Sequence, residues 1–229
     1  MRAHYLKDLI ISSEYLISGD DLHHLVNVVR IEEGETLLLL NGRGLSVTTE
    51  VVKVSKKELR LKRLQDSIQE LPYNFHLALA MPKREALELA LKEATEIGFR
   101  TIYLIKSDRS QMKFPDEERL GKLLVSALEQ SNAPWLPEVK YMDWKEIPWE
   151  EMNSVFLMDS QTDADSALES NLKGNLLLVI GPEGGFSSEE ISYFHSKQRL
   201  KVIHLPTPIL RTPTALAVGA GMMIQSLLK

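Results

Sequence analysis

The sequence predicts an α/β protein in two parts, a small β-rich domain over residues 1–70 and a larger domain over 71–229 built on a mostly parallel sheet. Three observations carry this expectation. From Phe75 onward, strand-length apolar runs alternate with helix-length amphipathic runs, the order that yields a parallel sheet covered by helices. The first 66 residues are β-rich, with short strand candidates and turn residues beside one short helix. Between the two lies the polar segment QDSIQELP, residues 65–72, which ends in proline and reads as a domain boundary.

Composition sets the outer bounds. A chain of 229 residues, 44% hydrophobic, buries an ordinary core. It has no cysteine, which excludes a disulfide framework and thiol chemistry and suits an intracellular protein. The opening MRAHYLKDLI lacks the apolar stretch of a signal peptide. No apolar run reaches the roughly 18 residues of a membrane span, so a cytoplasmic protein is expected. The net charge is −5, with 10 Lys and Arg against 11 acidic residues in 1–72 and 17 against 21 in the rest. Neither half is a basic block, and any RNA contact must be a local patch.

In the first domain a short helix is expected from Gly19 or Asp20 to Val29, with His23 and His24 packing or capping. Adjacent histidines diverge on a helix and no spaced partner is near, so no metal is expected. Strands follow at Leu37–Leu40, Ser46–Val54 and Glu58–Leu64, the first two joined by the turn Asn41-Gly42-Arg43-Gly44. In the third, Leu59 and Leu61 alternate with Arg60 and Lys62, giving one apolar and one basic face. That basic face either contacts phosphate or is simply solvated.

The second domain opens with a strand at Phe75–Met81 and a helix from Pro82 to Ile97. Leu87, Ala90, Leu91, Ala94 and Ile97 keep its 3.6-residue spacing, and Gly98 stops it. Lys83 and Arg84 sit at the helix start against the dipole, either to meet an anion or as a solvated pair. A strand at Thr101–Lys106 and a helix at Asp116–Ser131 come next. Residues 132–152 read as an irregular connection whose tryptophans, Trp135, Trp144 and Trp149, either stack on a base or wedge against the core. Val155–Met158 is a short strand ending at Asp159.

Two strand-turn-helix units close the chain. Leu176–Ile180 is a buried strand, stopped by Gly181-Pro182-Glu183-Gly184-Gly185. Ser187 then serves as N-cap with Glu190 as its capping-box partner, and Phe186 and Ile191 occupy the staple positions. The second unit runs from a strand at Lys201–Leu205 through a proline-stiffened loop to Thr212 as N-cap and Pro213 at the first helical position. The helix from Pro213 to Leu228 is apolar nearly all round, so it is buried on most sides, part of it against a second copy of the chain.

A glycine-rich turn between strand and helix binds phosphate, binds a nucleoside cofactor, or merely turns. No P-loop lysine follows it and its spacing is not that of a dinucleotide fold, which weakens the phosphate reading. Two such turns at neighbouring strand ends, one presenting Arg211 before a helix, favour a ligand site.

Gly181-Pro182-Glu183-Gly184-Gly185 together with Ile209-Leu210-Arg211-Thr212-x-Thr214-Ala215 resembles the paired signature of the RsmE-type 16S rRNA uridine N3-methyltransferases, of the SPOUT class. Further matches are His23-His24-Leu25-Val26, Arg30, Asn41-Gly42-Arg43-Gly44, Lys83, Glu93-Ala94-Thr95-Glu96-Ile97-Gly98, Asp108-Arg109-Ser110 and Glu129-Gln130-Ser131. The resemblance implies an N-terminal PUA-like RNA-binding β-barrel and a C-terminal SPOUT domain with a trefoil knot and helices on both sheet faces. It also implies S-adenosylmethionine as cofactor, a homodimer, and 16S rRNA or the small ribosomal subunit as substrate.

By the same resemblance the cofactor is held by Met158, Ile180, Gly181, Pro182, Glu183, Gly184, Gly185, Leu205, Pro206, Ile209, Leu210, Thr212, Thr214 and Ala215. Arg211 is the catalytic candidate, stabilising or orienting the base; the open alternative is that it pins its own loop. RNA contacts are expected from Arg30, Arg43, Arg60, Lys62, Lys83, Arg84 and Arg109. The chain departs from the family at Pro206, where members carry Gly, and at Pro213, where they carry Glu. Any role of that carboxylate is vacant here unless Glu183 takes it. Two other functions stay open: a SPOUT methyltransferase for another RNA position, and a non-catalytic RNA-binding or ribosome-assembly protein.

Overall fold

The computed structural model describes residues 1–71, 73–110, 114–159 and 172–227. Contacts divide the chain into two units, Met1–Leu71 with Leu128–Leu136, and Pro72–Ala127 with Pro137–Lys229.

The first unit contains strands β1 (Arg2–Tyr5), β2 (Glu14–Ile17), β3 (Thr36–Leu40), β4 (Leu45–Val54) and β5 (Leu59–Ile68), in the sheet order β1-β3-β4-β5-β2. Only β1 runs parallel to its neighbour. Helix α1 (Gly19–His23) continues as a wider π-turn over His24–Val28. Leu22 and Leu25 enter the core with Leu37, Leu39, Leu59 and Leu61. His23 and His24 stay exposed, so of the two expected roles neither packs, because the buried side of the turn belongs to the flanking leucines, while His24 is the C-cap of α1 through its backbone N–H.

The expected hairpin turn is present. Asn41 Oδ1 accepts the N–H groups of Arg43 and Leu45 at 2.7 and 3.1 Å, an Asx turn that competes locally with the ladder. Gly44 has φ +96°, and a Cβ there would lie 2.6 Å from the Gln69 carbonyl oxygen, so only glycine fits. The expected boundary segment begins too early. Residues 65–68 extend β5, because Leu45 to Thr48 of β4 pair with them and satisfy their backbone; Pro72 lies outside the described residues.

The second unit holds β6 (Asn74–Ala80), α2 (Arg84–Ile97), β7 (Thr101–Lys106), most of α3 (Glu117–Ser131), β8 (Glu138–Asp143), β9 (Ser154–Met158), β10 (Asn175–Ile180), α4 (Ser188–His195), β11 (Leu200–Ile203) and α5 (Thr212–Leu227). All six strands are parallel, in the order β11-β9-β10-β6-β7-β8. Strand β10 is therefore inserted between β9 and the much earlier β6. Alternate residues of β10 serve opposite faces. Leu177 and Val179 pack with Phe194 of α4, while Leu178 meets α5 at Gly219, where an added Cβ would lie 2.9 Å from the Leu178 side chain. Helix α2 lies against α5.

Several sequence expectations shift. Residues 132–152 are not wholly irregular: 138–143 form the edge strand β8, paired in parallel with β7, and Trp144 and Trp149 are buried on short 3₁₀ turns against Phe194. Trp135 is half-buried and donates its indole N–H to the Gln69 carbonyl at 2.9 Å. Helix α2 starts at Arg84, since Lys83 has an extended ψ of 152°. Helix α5 starts at Thr212, because the Arg211 carbonyl already accepts the Ala215 N–H at 2.9 Å. Arg211 is thus the cap in place of Thr212, and Pro213 the second helical residue, where its missing N–H is still harmless. Within one chain α5 buries Leu216, Gly219, Ala220 and Met223, while Ala217, Gly221 and Gln225 are exposed. It is therefore less enclosed than its composition suggested. Leu228, its expected last residue, lies outside the described residues.

Candidate functional site

Strands β9, β10 and β11 are neighbours and end side by side, and ligands of open parallel sheets collect at such carboxyl ends. Strand β10 gives way to a tight turn in which the Gly185 N–H donates to the Pro182 carbonyl at 2.8 Å and Gly185 adopts φ +69°. Ser187 caps α4 as predicted: its Oγ accepts the Glu190 N–H at 3.3 Å, and Glu190 accepts the Ser187 N–H at 2.7 Å.

The turns after β6 and β7 hold this loop from outside. The Lys83 N–H donates to Glu183 Oε1 at 3.1 Å, so the anion at the start of α2 is the protein's own carboxylate. Glu190, fully buried, accepts the Asp108 N–H at 3.0 Å with its second oxygen. Ser187 Oγ bonds Asp108 Oδ2 at 2.5 Å, and Arg109 Nη1 donates to the Gly184 carbonyl at 2.7 Å.

The second loop runs from His204 to Arg211. It is mostly exposed, and Ile209 shows 84% of its surface. A cavity of about 300 Å³ lies between the two loops, at the lower end of the range for small-molecule sites. Met158, Ile180, Gly181, Pro182, Glu183, Gly184, Gly185, Leu205, Ile209, Leu210, Thr212 and Ala215 line it, with Arg211 among them. Pro206 and Thr214 are not in its wall. Sequence reasoning did not assign Asp159, Phe186, Ile191, Ile203, Thr207 or Pro208, which also line it. Phe186 and Ile191 carried a signal as helix staple residues, and Asp159 as the end of a strand. Among the described residues, the main-chain N–H groups of Glu183, Gly184, Ile209 and Leu210 have no acceptor, and the exposed Arg211 guanidinium has no hydrogen bond or ion pair.

The expected RNA-contact cations are less free than their charges suggest. Arg84 pairs with Glu88 at 3.0 Å, a bond that holds the Glu88 carboxyl below its ordinary range. Arg60 pairs with Glu58 at 3.2 Å, and Arg43 donates to the Lys7 carbonyl at 2.8 Å. Lys62 stands in register between Glu14 and Glu50, so the face read as basic is mixed. Arg30 occupies the left-handed region at φ 56° where the π-turn ends, and Arg109 is engaged by Gly184. Lys83 commits its main-chain N–H but has no ion pair among the described residues. A second cavity of about 230 Å³ lies where α2 meets the start of α3, with Arg84, Glu88 and Arg119 pairing across it. No group of three or more potential metal ligands occurs among the described residues, and no described helix is long and apolar enough to cross a membrane.

The family model described as an RNA methyltransferase domain matches residues 69–224, and that of an RNA methyltransferase PUA domain matches residues 17–62. A ribosomal RNA small subunit methyltransferase E of Bacillus subtilis is 30% identical over 224 residues, covering 88% of this chain and 86% of the relative. Its namesake in Synechocystis is 27% identical, covering 93% of this chain and 74% of the relative. A crystal structure of a ribosomal RNA small subunit methyltransferase E from Neisseria gonorrhoeae, bound to S-adenosyl methionine, superposes with a TM-score of 0.83 at 21% identity, over 98% of this chain and 97% of that one. This last likeness speaks for the fold.

Proposed function

Because the chain belongs to the RNA methyltransferase family, with its PUA domain at the N-terminus, we propose that it methylates a uridine of small-subunit ribosomal RNA at N3, using S-adenosylmethionine. One observation carries the assignment of the site: two loops from neighbouring strand ends leave main-chain N–H groups without acceptors around one cavity, with a free guanidinium at the same place. Such a lining suits a nucleoside-sized ligand recognised through backbone groups. Apolar Ile180, Leu210 and Ala215 give it flat contact surface, and the glycines allow close approach. Gly184, Leu205 and Leu210 would hold the cofactor, and Thr212 and Ala215 would close its far side.

When bound, S-adenosylmethionine supplies an electrophilic methyl group on a sulfonium. The protein must present N3 of the uracil to it without the proton that N3 carries. As that proton leaves to solvent, negative charge develops on the ring, and Arg211 at the start of α5 is the group that meets it. Holding base and methyl donor together supplies much of the remaining acceleration. No carboxylate stands at the α5 start, since Pro213 occupies that place, and the Glu183 carboxylate is committed to the Lys83 N–H. Among the described residues Arg30, Lys62 and Lys83 are the expected cations with no ion pair, and each would meet a phosphate singly. We read the inserted strand β10 and the glycine loop that follows it as part of the knot of the SPOUT fold, and the exposed stripe of α5 as the surface that pairs with a second copy.

The test is to delete the gene and map small-subunit rRNA by mass spectrometry. Loss of one N3-methyluridine, restored by the wild-type gene, is expected. Loss of a different modification moves the target, and an unchanged rRNA removes the proposal.

A further inference from the structure

Arg109 belongs to the turn after β7, away from the two loops that line the cavity, yet its guanidinium is spent on the first of them. Nη1 reaches the Gly184 carbonyl at 2.7 Å. Its aliphatic stem follows the loop closely: a Cβ placed on Gly184 would lie 3.5 Å from Arg109 Cδ and 3.6 Å from its Cβ. The peptide unit between Gly184 and Gly185 is thereby fixed at both ends, its C=O by Arg109 and its N–H by the Pro182 carbonyl. Two consecutive glycines would otherwise sample a wide range of backbone conformations.

Arg109 is itself held in place. The neighbouring Asp108 donates its N–H to the buried Glu190, and its carboxylate accepts the Ser187 hydroxyl. A chain of contacts therefore runs from the interior of α4 through the β7 turn back to Gly184, which lines the cavity and whose own N–H has no acceptor among the described residues.

We propose that Arg109 is a positioning residue for S-adenosylmethionine: it preorganises the Gly184–Gly185 peptide that receives the cofactor, and it does not contact RNA. This rests on the reading above that the glycine loop holds the cofactor. A preformed loop avoids the ordering penalty that a free one meets on binding. The bond is single, from one N–H to one carbonyl, so a lysine ammonium can replace it, which would not hold for a bidentate phosphate or base contact.

The experiment compares wild type, Arg109→Ala and Arg109→Lys by calorimetric titration with S-adenosylmethionine, by anisotropy with an rRNA fragment in the absence of cofactor, and by melting. Hydrogen exchange of the 184–186 amides without cofactor gives a readout independent of activity. Arg109→Ala should bind the cofactor about tenfold more weakly, with faster exchange at 184–186, unchanged RNA affinity and a melting point within about 2 °C of wild type. Arg109→Lys should recover most of the cofactor affinity. An Arg109→Ala protein with wild-type cofactor affinity and weakened RNA binding overturns the proposal, as does a joint fall of melting point and both affinities. A wild-type protein that fails to bind the cofactor overturns the reading of the loop itself, and this inference with it.

Discussion

The Glu183 carboxylate accepts the main-chain N–H of Lys83 at 3.1 Å, joining the glycine turn after β10 to the first turn of α2. A carboxylate there satisfies a donor that the helix cannot, and it lies at the positive end of the helix dipole. It is a structural anion that occupies the main-chain donor at that helix start, which leaves Lys83 only its side chain for a phosphate and makes Glu183 a poor base.

Glu183→Gln should therefore methylate within about threefold of wild type, since an amide oxygen still accepts the Lys83 N–H. The acid limb of its pH–rate profile should not move. A lost acid limb with a fall of about a hundredfold would restore Glu183 as a base.

Glu190 is fully buried and accepts two main-chain N–H groups, from Ser187 and Asp108. Glu190→Ala strands both donors and removes half of a capping box, a loss of roughly 2–4 kcal/mol. Urea unfolding followed by fluorescence of the buried tryptophans measures it, and a change under about 1 kcal/mol would contradict the assignment.

Arg211→Ala should retain cofactor affinity and melting point while single-turnover methyl transfer falls by about 10² to 10³. Should affinity and melting fall together instead, Arg211 pins its loop and does not meet the base.

Burial lowers the pKa of His76 from 6.5; Arg100 and Lys140 add to this, while Asn175 and Glu151 oppose it. The unfolded chain protonates near pH 6.5 and the folded chain resists, so this contribution to stability is complete above 6.5. It is lost as the pH falls from 6.5 through the lowered folded value. Denaturation at pH 7.5, 6.5 and 5.5 should show the decline, and His76→Phe should flatten it.

The exposed stripe of α5 around Ala217 and Gly221 is apolar apart from Gln225. Light scattering at low micromolar concentration should give a dimer, and Ala217→Arg should give a monomer, because an unpaired guanidinium is costly to bury at an interface.

Local signals in the sequence located a good part of the molecule. Ser187 and Glu190 specify the start of α4 without help from elsewhere, because a capping box closes within four residues. Gly98 ends α2 in the left-handed conformation for a similarly local reason. The two loop motifs read as one ligand site from their place between strand and helix, and the family resemblance added which ligand it takes. Strand β8 was missed because Glu138 to Asp143 carries no continuous apolar run, and its pairing with β7 makes it a strand. Residues 65–68 read as linker in the sequence because their polar side chains conceal a backbone committed to β4.

The sequence by itself determined the α/β class, the order of most elements and the two loops that line the cavity, since these follow from hydrophobic period, caps and glycines acting over a few residues. Tertiary structure alone decided the fate of the charges. Glu183 caps a helix a hundred residues upstream, and Arg109, expected at the RNA, bonds a glycine carbonyl. Arg60 and Arg84 pair with neighbouring carboxylates, and Lys62 lies between two glutamates on adjacent strands. A charged side chain has several possible partners, and the partner it takes is the one the folded backbone brings within about 4 Å.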